Sequence, residues 1–172
     1  FYAVCEKLGI PHPRTVAIDP GKAAGGSAED AVPAELPEFP LIGKPADSAA
    51  WVNARFEGKQ KVFRFTDRDA VVTMVGRMAE VGYTQPFILQ EMIPGGDENM
   101  RLCSMYGAKD GSGTLYVANA NVVVEEHSPI VEGNSAGIVT TDNPDIVPSV
   151  KALIEHYGWT GWAMVDAKLD PR

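Results

Sequence analysis

Apolar residues recur at helical spacing over three stretches of this chain and in short extended runs over several others. Phe1, Val4, Cys5 and Leu8 share one helical face, and Gly9 follows as a stop. Val71, Met74, Val75, Met78 and Val81 form a second stripe, opened by Asp67 as N-cap and closed by Gly82. Val150, Leu153, Ile154 and Tyr157 form a third, with Pro148 in its first turn and Gly158 at its end. The extended runs predict strands at 14–18, 39–45, 61–65, 87–93, 102–106, 115–124 and 161–169. Between them, 19–38 is rich in Gly, Ala, Pro and acid without periodicity and reads as a surface loop or insertion. Residues 46–59 read as the flexible tip of a hairpin, and 132–137 as a second flexible patch.

The stretch Phe87-Ile88-Leu89-Gln90-Glu91-Met92-Ile93-Pro94-Gly95-Gly96-Asp97 organises the rest. It is a buried strand ending in an amide and a carboxylate, then a Pro-Gly-Gly turn, then a returning strand. Polar side chains at a strand end beside a turn are where a rigid scaffold presents ligand contacts, although an acidic solvated tip has the same pattern. Lys44 ends the 39–45 strand, where it either meets an anionic partner or snorkels to solvent. The small and hydroxyl residues Ser48, Ala49 and Ala50 stand in the following loop, where backbone N–H groups can cradle a phosphate.

Further polar positions interrupt apolar runs. Asn119 and Asn121 alternate on one face of a strand, as a ligand-facing wall or a solvated one. His127 follows two carboxylates in a polar turn, as a substrate contact or simply a loop residue. In the last strand, alternation puts Val165, Ala167 and Leu169 on one face and Met164, Asp166 and Lys168 on the other. Asp166 there needs a partner, and a divalent cation or Lys168 would serve.

Composition narrows the class. The chain has 172 residues, 45% hydrophobic and 22% charged, which suits a folded globular protein of one domain or two small lobes. The net charge of −8 argues against nucleic acid or an anionic membrane as the main partner, but leaves room for a nucleotide held by a few lysines or amides. Two cysteines without CxxC spacing read as buried free thiols of a cytoplasmic protein, and no apolar run is long enough to span a bilayer. The chain begins at Phe1 inside an amphipathic segment and stops just after a strand, which reads as a piece of a longer protein.

Taken in order, strand-Lys44-Pro45, flexible loop, helix, Gln90-Glu91-x-Ile93-Pro94-Gly95-x-Asp97-x-Asn99-Met100-Arg101, Glu125-Glu126-His127-Ser128-Pro129 and Tyr157-Gly158-Trp159-Thr160-Gly161 resemble the ATP-grasp superfamily over nearly the whole chain. Within it, the nearest likeness is to D-aspartate ligases and carbamoyl-phosphate-synthase-like proteins. The resemblance implies an α+β fold: a small antiparallel lobe at 39–92, preceded by an approach segment at 1–38, and part of a larger sheet lobe at 93–172, with nucleotide between the lobes. It implies that Lys44 contacts the ATP phosphates beneath a flap at Asp47 and Ser48, and that Gln90, Glu91 and Ile93 hold the adenine. Asp97, with Glu98 as the alternative, would take the ribose hydroxyls, Asp166 would be the first Mg2+ ligand, and Arg101 and His127 are candidate substrate contacts. The Glu and Asn that complete the family's metal site do not occur before Arg172. This chain alone is therefore expected to fold and bind nucleotide weakly without turnover. The implied reaction joins a carboxylate to an amine, D-aspartate being the candidate, through an acylphosphate. A carbamoyl-phosphate-synthase-like enzyme of other substrate and a non-catalytic nucleotide-binding module are the alternatives.

Overall fold

The computed structural model describes residues 1–142 and 145–172, which form two compact units. One comprises Pro13–Met92 with His127–Glu132, and the other Phe1–His12, Ile93–Glu126 and Gly133–Arg172. The chain opens with α1 (Tyr2–Lys7), which belongs to the second of these.

The first unit is built on a four-stranded antiparallel sheet. Its strands are β1 (Thr15–Ile18), β2 (Leu41–Pro45), β3 (Phe63–Phe65) and β4 (Phe87–Glu91), in the order β1-β4-β2-β3. Thus β1, which the sequence sets in the approach segment, is an edge strand of this sheet. Ile18, Leu41, Phe63, Phe65, Phe87 and Leu89 alternate onto one face and are buried there. Of the helical stripe, Val71, Met74, Val75 and Met78 are buried in the same cluster, as the spacing predicts, whereas Val81 caps the helix end and is exposed. At Gly43 any side chain would collide with this layer: a Cβ would lie 2.5 Å from Phe65 and 2.6 Å from Phe87.

Two segments expected to be loops are ordered elements. In 19–38, Asp19 Oδ1 accepts the Gly21 N–H (2.9 Å) and opens a 3₁₀ helix, Pro20–Gly25. Ser27 caps the next short helix, α2 (Ala28–Ala31). Ala31 and Val32 are buried in the core, and Arg68 donates to Glu29 (2.8 Å) and to the Pro33 carbonyl (2.7 Å). In 46–59, Asp47 caps α3 (Ser48–Asn53), whose Trp51 is buried at 5.0 Å, edge-on, from the Tyr83 ring. Trp51 Nε1 also donates to the Gln60 carbonyl (3.0 Å). The helices in both segments are too short to show a period, so caps and one or two buried side chains fix them. The 13-residue helix α4 (Arg68–Glu80) follows, capped by Asp67.

The second unit is an antiparallel sheet of β5 (Met100–Gly107), β6 (Leu115–Glu125), β7 (Ser135–Thr140) and, after α5 (Val147–Tyr157), β8 (Gly161–Lys168). Its order is β7-β6-β5-β8, so β4 and β5 flank one turn yet lie in different sheets. The strand returning after Pro-Gly-Gly does not pair with the strand before it. The 132–137 patch is corrected as well, since Ser135 opens β7. That strand is an edge exposed on both faces, so it carries no alternation. Val150 and Ile154 of α5 pack with Cys103, Met105, Ala163 and Val165 on one face. The split of β8 into two faces is as its alternation predicts.

Cys5 and Cys103 are buried and unpaired, and burial pushes both thiols up. Among the described residues no helix is long and apolar enough to cross a membrane.

Candidate functional site

In the first unit, Lys44 and Gln90 stand on the sheet face away from α4. Lys44 pairs with Ile88 across β2 and β4, and Gln90 pairs with Ile42. This face therefore presents a half-buried ammonium, two aliphatic side chains and an amide. Gln90 is 6% exposed and is held by Thr15: its Nε2 donates to Thr15 Oγ1 (3.1 Å), and that hydroxyl donates to the Pro13 carbonyl (2.9 Å). The amide is thus locked in orientation by β1. No sequence signal singled out Thr15, because its part depends on the pairing Thr15↔Gln90.

Glu91 sits on the opposite side of the strand from Gln90. Its N–H donates to the Arg14 carbonyl (2.9 Å) and its Oε2 accepts the Arg14 N–H (3.2 Å). Ser48 is the first residue of α3. The N–H groups of Ala49 and Ala50 donate to Asp47 Oδ1 at 2.8 and 2.9 Å. His127 is exposed on a segment fastened to this unit. There the Lys61 N–H donates to the Pro129 carbonyl (2.8 Å) and Arg64 pairs with Glu132 (3.2 Å).

In the second unit, Ile93 leads into the turn and Asp97 opens a 3₁₀ turn, Asp97–Asn99. Asp97 Oδ2 accepts the Glu125 N–H (2.8 Å), which fixes one carboxylate oxygen. Asp166 lies opposite Leu102 on the sheet face away from α5. It borders a hollow of about 310 Å³ with Leu102, Ser135, Ile138 and Met164. Arg101 pairs with Ala167 and so points to the other face from Asp166. Its guanidinium is folded onto the Glu98 and Met100 carbonyls at 2.7 and 3.0 Å. The geometry brings Lys44 with Gln90, and Asp97 near the turn that Lys168 and Asn99 tie down, but separates Arg101 from Asp166.

Asn119 and Asn121 share a face, as alternation requires, and it is the α5 face with Cys103. Their Oδ1 atoms are buried without hydrogen-bond partners, so this is neither a solvated wall nor part of the Asp166 face. Lys168, weighed as a partner for Asp166, instead donates to the Gly95 carbonyl (2.7 Å).

Among the described residues no cluster of three His, Cys, Asp or Glu side chains could grip a metal by itself. Asp166 fits one kind of metal chemistry: magnesium held by one or two carboxylates together with phosphate oxygens. The nucleotide donor set fits better, with a cation, an oriented amide and an apolar shelf on one sheet face.

Comparison with known proteins bears on the fold and on sequence relationship. No protein-family model matches the chain. The D-aspartate ligase of Enterococcus faecium (strain Aus0004) is 35% identical over 173 residues, which is 100% of this chain and 40% of that protein. The chain thus spans well under half of that relative's length. The crystal structure of D-cycloserine synthetase DcsG matches with a TM-score of 0.58 at 16% identity, over 95% of this chain and 54% of the other. D-alanine–D-alanine ligase from Helicobacter pylori matches with a TM-score of 0.56 at 13% identity, over 96% and 44%. The same enzyme from Bacillus anthracis, complexed with ATP, matches with 0.55 at 13% identity, over 99% and 50%. The chain carries the ATP-grasp fold, and its sequence relationship lies with the D-aspartate ligase.

Proposed function

We propose that this chain is the ATP-binding part of an ATP-dependent carboxylate–amine ligase, with D-aspartate as the amine. The observation that carries the reading is the sheet face that joins half-buried Lys44 to the oriented amide of Gln90. The 35% identity to a D-aspartate ligase supports the choice of amine. In this reading Lys44 neutralises the nucleotide phosphates, and Gln90, Glu91 and Ile93 hold the adenine, with Asp97 on the ribose. Asp166 is one carboxylate ligand of Mg2+, which supplies charge neutralisation at the phosphates when bound. A substrate carboxylate attacks the γ-phosphorus of ATP and ADP leaves, giving an acylphosphate. The amine then attacks its acyl carbon, phosphate leaves, and the nitrogen gives up a proton to form the amide.

The residues' work is positioning and charge compensation, so no side-chain nucleophile is needed. Charge develops on the transferring phosphoryl group, and an ammonium carried on a sheet strand compensates it. Two buried, unpaired cysteines fit a reducing cytoplasm.

The test is MgATP binding to the full-length protein, by calorimetry, beside Lys44→Ala. Loss of a charge-assisted contact worth about 1.5–3 kcal/mol weakens binding roughly 10- to 100-fold. Equal binding by the variant, or none by the parent, would overturn the reading.

A further inference from the structure

We propose that Lys168 is a positioning residue that holds the Asp97 turn at a fixed place over the strand that carries Asp166. The inference rests on the nucleotide reading above and assigns a role to a residue outside it. Three bonds tie the end of β8 to the segment from Gly95 to Asn99. Lys168 Nζ donates to the Gly95 carbonyl (2.7 Å), the Leu169 N–H donates to the Asn99 carbonyl (2.9 Å), and Asn99 Nδ2 donates to the Leu169 carbonyl (3.3 Å).

The turn is shaped for this clasp. Gly95 has φ +95°, which L side chains rarely adopt, and a Cβ there would run into the Asn99 amide. Asp97 lies between the two fastened residues, and its carboxylate is held by the Glu125 N–H (2.8 Å). At the other end of the clasp, Lys168 is two residues from Asp166 and on the same sheet face. A ligand that touches both carboxylates benefits from having their separation set beforehand.

Lys168 carries the longest reach of the three bonds and the only charge. The other two bonds include a backbone pair that substitution leaves in place, so removing the ammonium loosens the turn without dissolving it. The signature is specific. The adenosine part and the magnesium–triphosphate part each keep their own contacts, but the advantage of joining them falls.

The experiment measures three dissociation constants on the full-length protein by competition with a fluorescent nucleotide: MgATP, adenosine, and magnesium tripolyphosphate. Lys168→Met is expected to weaken MgATP about tenfold while adenosine and tripolyphosphate stay within about twofold, since only preorganisation is lost. Lys168→Arg, which keeps a donor for the Gly95 carbonyl, is expected to restore MgATP binding to within about threefold. MgATP binding by Lys168→Met equal to the parent's overturns the inference. So does an equal loss for all three ligands, which marks general structural damage. A parent protein that binds no MgATP overturns the nucleotide reading itself, a result distinct from both.

Discussion

Gln90 shows how a single polar side chain is made useful inside a sheet. Buried without a partner it would cost about 1–3 kcal/mol, and Thr15 on the neighbouring strand removes that cost while fixing the amide's direction. Gln90→Leu keeps the volume and removes both the polar group and its need for a partner. Its unfolding free energy in urea is expected within about 1 kcal/mol of the parent. Its preference for ATP over GTP should fall, because the oriented amide is gone. Unchanged preference would remove Gln90 from the adenine site. Gly43 is the steric counterpart, beneath Phe65 and Phe87. Gly43→Ala is expected to lower stability by about 1–3 kcal/mol through overpacking, read by urea unfolding. An unperturbed midpoint would mean that the rings yield freely.

Elements differ in how openly the sequence declares them. The α4 stripe and the α5 stop at Gly158 are plain, because each spans two or more turns and buries one face. By contrast α2 and α3 have four and six residues, too few to display a period. They exist because Ser27 and Asp47 satisfy their first N–H groups and because Ala31 and Trp51 reach the core. The edge strand β7 is hidden for the opposite reason, as neither face is buried. The residues of the proposed site follow the same division. Lys44, Gln90 and Asp166 were legible as polar breaks in apolar strands, whereas Thr15, Asn99 and the Lys168–Gly95 bond depend on pairings made only on folding. Register alone decides which face Arg101 takes, and it is the one away from Asp166.

The cap of α4 gives an element-scale test. The Ala70 N–H and then the Thr66 hydroxyl hold the Asp67 carboxyl below its usual value. The unfolded chain restores the ordinary value of about 3.9, so the contribution is complete above that pH and is lost as pH falls through the lowered folded value. Asp67→Asn keeps a capping oxygen without the charge. Its melting temperature is expected to fall less than the parent's from about pH 5 to about pH 2. Parallel curves would show that the cap's charge does not matter.

Across the whole chain, an excess of acidic residues coexists with the site proposed for a polyanion. The net charge is −8. On the proposed reading, long-range attraction to this chain does not bring the nucleotide in, and short-range contacts of the Lys44 kind hold it. This makes the ligase reading depend on a few residues, which is also what makes it testable. The measurement is release of ADP and phosphate by the full-length protein with MgATP, a panel of acyl donors, and D- and L-amino acids. The account expects release that requires D-aspartate and collapses in both Lys44→Ala and Asp166→Ala. Absence of release with every pair, while MgATP still binds, would contradict it and leave a nucleotide-binding module in its place.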